Sequence, residues 1–173
     1  MSAVAFDTPA GCRTAFDALL AGAHRLIRLY DCEPAPWALD DADRHAALRA
    51  FCVAGGGRRI ECLFDDVGRL SRDCPRLMRL LRDFGHVLEI RQAEPDTPLP
   101  DEAFALADRN GVLLRADKAA FRGALHPDEP GRGAALHQTF ETLWQRAVRV
   151  PATPLGLCTR RVRASSARLA RPR

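Results

Sequence analysis

Helical and strand-like patterns of apolar residues alternate along the first half of the chain. Amphipathic stripes with the spacing of a helix cover residues 8–23, 40–54 and 73–84. Apolar runs typical of buried strands follow them at residues 25–31, 58–66 and 86–91. The order helix, strand, repeated three times, predicts right-handed crossovers and a parallel sheet with helices on both faces.

The ends of these helices carry recognisable signals. Thr8 and Pro9 are a favoured N-cap and first helical residue, and Asp73 with Pro75 predicts the start of the third helix in the same way. Gly55-Gly56-Gly57 stops the second helix. A phosphate-binding glycine loop lies between a strand and the helix that follows it, so this triple glycine, placed after a helix, does not predict one.

The second half of the chain changes pattern. Residues 101–115 predict two strands around an Arg109-Asn110-Gly111 turn, too close in sequence for a crossover, so the strands pair antiparallel. Residues 118–126 predict one more short strand or an irregular edge segment. Asp128 and Pro130 open a last helix whose apolar stripe reaches Ala147, and Pro151 and Pro154 mark its end. The predicted fold is therefore α/β, with one mixed sheet.

The length and composition of the chain limit the number of domains that it can form. The chain has 173 residues, of which 47% are apolar, enough for a single core. No run approaches the roughly 18 apolar residues that a membrane helix requires. We expect one domain over residues 1–150, no membrane association and a cytoplasmic location.

Charge is unevenly distributed. The net charge is +4, but residues 151–173 alone carry +6 and contain no acid, so residues 1–150 carry −2. The tail has little to bury, which predicts disorder. Arg160, Arg161 and Arg163 are candidate contacts to nucleic-acid phosphates, with strong salt dependence. The sequence shows no basic face or aromatic platform in the body, which argues against a nucleic-acid partner.

The six cysteines do not form a Cys-x-x-Cys pair, so neither a zinc ribbon nor a thioredoxin-type motif is present. We expect most of these cysteines to be buried free thiols. None of the five histidines pairs with another at helical spacing, and no nucleophile elbow surrounds a serine. His137, on the last helix, is a candidate lone base, although a hydrogen-bonded or solvent-facing histidine is the expected reading.

Carboxylates follow the predicted parallel strands. Asp31 ends the first strand, Asp65 and Asp66 end the second, and Arg91 ends the third. Ligands of α/β sheets favour the crevice beyond these strand ends. Three carboxylates are the ligands that Mg²⁺ prefers, and Arg91 is a candidate partner for an acid or an anionic ligand. The alternative is that these acids cap helices and solvate loops.

An α/β unit of three parallel strands, a hairpin and a closing helix resembles one half of the phospholipase D-like superfamily. The fuller resemblance is to an uncharacterised bacterial domain family of that superfamily, often found behind a GNAT-type acetyltransferase domain. It is carried by LYDCEPAPWALDD, IECLFDD, DEAFALADRNGVLLR and FETLWQRA, and it covers roughly residues 10–148.

Active members of the superfamily carry H-x-K-x-x-x-x-D, in which the His attacks phosphorus, the Lys binds phosphate oxygens and the Asp supports the geometry. Aligning Asp108 with the motif's Asp places Asp101 at the His position and Ala103 at the Lys position. Without the nucleophile and the cation, neither the covalent intermediate nor its charge compensation is available. The resemblance therefore implies a fold whose motif is reduced to Asp108.

These observations predict a non-catalytic binding or scaffolding domain that needs no cofactor. The resemblance implies an acetyltransferase in a neighbouring polypeptide as a partner, and a homodimer is the commonest assembly. One alternative is a metal-dependent phosphodiesterase or phosphatase that uses the strand-end carboxylates. A second alternative is weak nucleic-acid binding through the arginine-rich tail.

Overall fold

The computed structural model describes residues 2–152, so the basic tail with Arg160, Arg161 and Arg163 lies outside the described residues. The strands are β1 (Val4–Phe6), β2 (Leu26–Asp31), β3 (Arg59–Phe64), β4 (Leu88–Gln92), β5 (Ala103–Ala107), β6 (Gly111–Arg115), β7 (Gly123–His126) and β8 (Val148–Arg149). The helices are α1 (Pro9–Gly22), α2 (Ala42–Val53), α3 (Leu70–Asp73), α4 (Pro75–Asp83) and α5 (Pro130–Arg146). Residues Ala35–Trp37 form one 3₁₀ turn.

The strands form a single mixed sheet in the order β1-β7-β6-β5-β2-β3-β4-β8. The three predicted parallel strands pair with one another, with Tyr30 opposite Leu63 and Leu63 opposite Arg91. The predicted hairpin β5–β6 is antiparallel, and β5 also pairs antiparallel with β2. The switch from parallel to antiparallel pairing therefore falls between β2 and β5, at the centre of the sheet.

Helices cover both faces of the sheet, as the sequence predicts. Alternate strand residues such as Ile27, Leu29 and Ile90 join the larger core under α1, α2 and α4. The residues between them, including Tyr30 and Leu63, pack with Phe140 and Trp144 of α5 in a second core. Because side chains alternate along a strand, the four central strands β2, β3, β5 and β6 contribute to both cores.

Most helix boundaries agree with the capping signals. Thr8 Oγ1 accepts from the backbone N–H of Gly11, and Asp41 accepts from those of Asp43 and Arg44. The third predicted helix is wrong in one respect, since Asp73 ends the short α3 instead of capping a helix. The break falls at Cys74, whose φ and ψ are −130° and 57°. Pro75 explains it, because proline disfavours helical geometry in the residue before it.

Other differences lie at the edges of the sheet. The last helix ends at Arg146, before the predicted proline stop, because Val148 and Arg149 pair with β4 as β8. Strand β1 at the opposite edge pairs with β7, and neither edge strand has a sequence run long enough to predict it. No helix within residues 2–152 has the length and apolar character needed to cross a bilayer.

Candidate functional site

The carboxyl ends of β2 and β3 meet the start of β5 and the end of β6. The register places Phe104 opposite Tyr30, and Ala103 opposite Arg115, so residues 101 and 115–118 lie beside the ends of the parallel strands. We call this region the strand-end crevice, defined by Asp31, Asp65, Asp101, Arg115 and Lys118. It is the place where an α/β sheet most often binds a ligand.

A buried ion pair forms the floor of the crevice. Arg115 Nη1 donates to Asp31 Oδ2 over 2.6 Å, and each side chain is only 1% exposed. Trp37 Nε1 donates to the same Oδ2 over 2.6 Å, and the backbone N–H of Cys32 donates to Oδ1. Burial raises the pKa of the Asp31 carboxyl, while the Arg115 guanidinium opposes that rise. These partners leave Asp31 no free oxygen to offer a metal ion.

Arg115 also fixes the loop that leads to β7. Its Nε donates to the carbonyl of Ala120 over 3.0 Å, and its Nη2 donates to the carbonyl of Lys118. Phe121 and Trp37 both lie against the guanidinium, with ring centroids 4.9 Å and 5.8 Å from its central carbon. The loop is therefore held over the strand ends by a side chain that is itself part of the core.

A second ion pair lies on the α5 side of the sheet. Lys118 Nζ donates to Asp65 Oδ2 over 2.6 Å and to the hydroxyl of Tyr30 over 2.7 Å. Burial and the adjacent Asp65 carboxylate raise the pKa of Tyr30, so its hydroxyl stays protonated. Asp65 Oδ1 is buried and has no hydrogen-bond partner among the described residues. The Lys118 ammonium is therefore already neutralised by the Asp65 carboxylate.

A cavity of about 560 Å³ opens above this second pair. Its lining supplies three carboxylates, from Asp65, Asp101 and Asp117, against the single ammonium of Lys118. Ala103, by contrast, is fully buried in the core. The two positions that the resemblance aligns with the nucleophile and the phosphate-binding cation therefore hold a cavity carboxylate and a buried methyl group.

The three carboxylates that the sequence offers as magnesium ligands each have a partner within the protein. Asp31 is paired with Arg115, Asp65 is paired with Lys118, and Asp66 Oδ1 accepts from the backbone N–H of Gly68 in a turn. Asp66 lines a different cavity, of about 370 Å³, beside α3. Within residues 2–152, no group of three or more His, Cys, Asp or Glu residues is arranged to hold a metal ion.

The sequence made Arg91 a candidate partner for the strand-end carboxylates, but its side chain binds other groups. Its Nε donates to Glu89 Oε1 and its Nη1 donates to the carbonyl of Trp144, both over 2.7 Å. The guanidinium also lies 4.3 Å from the Trp144 ring centroid. Because Ile90 points into the larger core, the alternation of β4 turns Arg91 toward α5, where it fixes the end of that helix.

Asp108 lies at the opposite end of the central strands β5 and β2 from the crevice. Its carboxylate accepts from the backbone N–H groups of His24, Arg25 and Leu26 over 2.7 to 2.9 Å, where β2 begins. Partial burial acts to raise the pKa of Asp108, but these three donors hold it below its usual value. The residue aligned with the motif's Asp therefore has a structural role at the start of β2.

His137 is hydrogen-bonded on both ring nitrogens. Nε2 lies 2.7 Å from the carbonyl oxygen of Asp108, and Nδ1 lies 3.3 Å from Nη1 of Arg28. A carbonyl only accepts and a guanidinium only donates, so Nε2 carries the proton and Nδ1 accepts. Burial lowers the pKa of His137, and Arg28 adds to that effect. It is a neutral structural histidine, and no ring nitrogen is free to act as a base.

No sequence pattern singles out Arg115 and Lys118, which form the crevice together with the acids, or Tyr30, whose hydroxyl accepts from Lys118. Arg115 directly follows the apolar run Gly111–Leu114, and Lys118 is the only lysine of the chain. Their partners, however, lie 53 to 88 residues away. Only the pairing of β5 with β2 brings them together.

Solved structures with a similar fold belong to the phospholipase D family. Nuc from Salmonella typhimurium matches with a TM-score of 0.61 and 15% identity over 86% of this chain and 97% of that one. NucT from Helicobacter pylori matches with a TM-score of 0.58 and 14% identity over 86% and 99% of the two chains. At these identities the likeness shows the fold, which is α/β with one mixed sheet.

TrmBL2, an archaeal chromatin protein whose structure shows a novel mode of DNA binding, has a TM-score of 0.62 and 16% identity over 87% of this chain. The present chain spans only 54% of the TrmBL2 chain. None of the curated proteins compared with the sequence matches it.

A family model matches seven of the eight strands, β2 to β8, and all five helices. The match covers residues 8–153, from the cap of α1 to beyond β8, and thus includes every residue of the strand-end crevice. The chain therefore belongs to the family described as Domain of unknown function (DUF7931).

Proposed function

We propose that this chain is a non-catalytic binding or scaffolding domain with the phospholipase D-like fold. The observation that carries the proposal is the internal neutralisation of the strand-end crevice. Lys118 is paired with Asp65 at 2.6 Å, and Arg115 is paired with Asp31 at 2.6 Å. A phosphodiester entering this crevice finds no uncommitted cation to stabilise its developing negative charge.

The lack of an imidazole nucleophile is the second feature that supports this proposal. Asp101, at the position aligned with the motif's His, contributes a carboxylate to a cavity that already holds Asp65 and Asp117. These carboxylates repel a phosphodiester, and the paired cations of the crevice do not offset that repulsion. His137 is engaged on both nitrogens, so it does not replace the absent imidazole.

A hydrolysis assay tests the absence of catalysis. The full chain is incubated with bis(p-nitrophenyl) phosphate and, separately, with a phosphomonoester, each with magnesium or with EDTA. We expect no turnover above the protein-free blank, and no difference between the wild type and Asp65→Ala. Turnover that Asp101→Ala or Asp65→Ala removes would overturn the proposal, because it would locate a reaction in the crevice.

A binding or scaffolding role requires a protein partner. The resemblance to domains found behind GNAT-type acetyltransferases makes such an enzyme the first candidate partner, and a second copy of this chain is the other. Native mass spectrometry of the protein purified from its own cells reports copy number and companion chains together. We expect a stable assembly in which the acetyltransferase or another protein is retained. A bare monomer at every protein concentration would contradict the scaffolding role.

A further inference from the structure

Helix α4 carries arginines along its outer surface. Its sequence is PRLMRLLRD, and Leu77, Met78, Leu80 and Leu81 are buried against the core. The three arginines at positions 76, 79 and 82 are all exposed, at intervals of three residues. We call them the α4 arginine face. The sequence analysis found no basic face in the body of the protein, and this helix corrects that expectation.

Neighbouring elements extend the positive charge. Arg72 of α3, with 81% of its side chain exposed, precedes the face in sequence. Arg49 of α2 is exposed, and its guanidinium carbon lies 6.0 Å from the ring centroid of Phe84, directly after α4. The Asp40 carboxylate also lies at this surface, because it accepts from the backbone N–H groups of Arg76 and Leu77. With Asp40, Asp73 and Asp83 included, these five arginines carry a net charge of +2. Since residues 1–150 carry −2, the remainder of the body is acidic.

The three guanidinium groups of the α4 arginine face have few partners within the described residues. Arg79 has no ion pair within the described residues, and the Arg82 contact to Asp83 is 3.7 Å long. Arg76 donates one N–H to the carbonyl of Asp40, which leaves the rest of its guanidinium free. Like charges three residues apart on a helix repel, so the spacing lowers the stability of α4 unless a negative partner compensates.

The surface fits a phosphate backbone better than an acidic protein. Arginine at protein interfaces acts together with Trp and Tyr anchors. The large apolar side chains exposed among residues 2–152 are Val4, Val53 and Val148, and none of them is on α4. Guanidinium groups bind phosphate oxygens through paired hydrogen bonds. At about 1.5 Å per residue, Arg76 to Arg82 spans about 9 Å, so the three guanidinium groups lie close enough together to contact neighbouring phosphates of one duplex.

We infer that the α4 arginine face binds the phosphate backbone of nucleic acid. The site is separate from the strand-end crevice, so this inference goes beyond the proposed function and does not rest on it. It also differs from binding through the arginine-rich tail, because it assigns the contacts to a folded helix. Hydrolysis assays bear on the crevice alone, and the following experiment bears on α4 alone.

The test measures fluorescence anisotropy of a labelled 20-base-pair DNA duplex with the full chain over a series of salt concentrations. The variant carries Arg76→Gln, Arg79→Gln and Arg82→Gln. The matched control carries Arg13→Gln, Arg122→Gln and Arg146→Gln, three exposed arginines of other regions, with the same change in net charge. Both proteins keep the tail, so its contribution is equal.

We expect the α4 variant to bind at least about tenfold more weakly than the control, with a log–log salt slope shallower by up to about 2.7, or 0.9 for each lost phosphate contact. A second variant with Lys at positions 76, 79 and 82 keeps the charge and should retain most of the slope, which separates lost contacts from misfolding. Equal binding by the α4 variant and the control overturns the inference, as does an absence of binding by the wild type.

Competition identifies the class of partner. Unlabelled duplex should displace the labelled duplex from the wild type at far lower charge concentration than polyglutamate does. If polyglutamate competes equally well, the face recognises acidic side chains in general, and its assignment to nucleic acid is wrong.

Discussion

Arg115 and Asp31 form an ion pair inside the core, 2.6 Å between Nη1 and Oδ2, with 1% of each side chain exposed. The pair joins the end of β6 to the end of β2 across 84 residues of sequence. It also positions the loop that carries Lys118, since Arg115 binds two carbonyl groups of that loop. One buried guanidinium thus organises the whole strand-end crevice.

Removal of one partner of this pair should be strongly destabilising. Arg115→Met leaves the Asp31 carboxylate buried without its counter-charge, and we expect a loss of about 3 to 5 kcal/mol in the free energy of unfolding. Urea denaturation followed by circular dichroism measures it. Arg69→Met, which breaks an exposed pair with Asp73, is the control and should cost less than about 1 kcal/mol. Comparable losses in the two variants would contradict the structural role of Arg115.

The double variant Asp31→Asn, Arg115→Met refines that test. Because it removes both charges, it should cost less than the sum of the two single changes, with a coupling of about 0.5 to 3 kcal/mol. Strict additivity would mean that the two side chains do not interact in solution.

His137 should make stability depend on pH. The folded state lowers its pKa below the unfolded value of about 6.5, so the folded protein binds fewer protons than the unfolded chain as pH falls through that value. The stabilisation is complete above about pH 6.5 and is lost as pH falls toward the lowered pKa. Arg28, Glu61 and the carbonyl of Asp108 are the polar groups around the ring.

Urea unfolding between pH 7.5 and 5.5 checks this dependence. The wild type should lose more stability over this interval than His137→Gln, in which the titrating group is absent. Identical slopes for the two proteins would show that other groups account for the pH dependence.

Asp108 should be sensitive to substitution although it lies outside the crevice. Asp108→Ala removes the acceptor for three backbone N–H groups at the start of β2, and its φ of 52° disfavours alanine. We expect a loss of about 2 to 3 kcal/mol in the free energy of unfolding. Asp108→Asn keeps one acceptor oxygen and tolerates positive φ, so it should lose less. Equal losses would argue against the hydrogen bonds as the cause.

Two glycines in the first turn of α5 should respond oppositely to alanine. A Cβ at Gly133 would lie 2.5 Å from the carbonyl oxygen of Arg109, whereas a Cβ at Gly131 has no neighbour within 4 Å. Gly131→Ala should therefore be neutral or stabilise by up to about 1 kcal/mol, as alanine favours helices. Gly133→Ala should lower the melting temperature, because the β5–β6 turn must shift. Stabilisation by both changes would show that α5 does not approach the turn this closely.

Local sequence patterns were sufficient for the elements that have strong periodicity or clear ends. The parallel order of β2, β3 and β4 and the antiparallel hairpin of β5 and β6 follow from spacing alone. The break between α3 and α4 at Cys74 could also have been predicted, because proline disfavours helical geometry in the residue before it. The edge strands β1 and β8 could not be predicted from the sequence, since runs of three and two residues are too short to show a period. They form because they pair with β7 and β4.

The sequence by itself determined which residue types occupy the strand ends, and therefore that Asp101 and Ala103 stand in the hairpin at the positions that the resemblance aligns with the His and the Lys of the phospholipase D motif. Only the tertiary structure decided which charges meet. The antiparallel pairing of β5 with β2 brings Arg115 to Asp31 and Lys118 to Asp65, and the alternation of β4 turns Arg91 away from them. Electrostatic partners depend on distances of a few ångströms between residues far apart in sequence, and a linear pattern does not encode such distances.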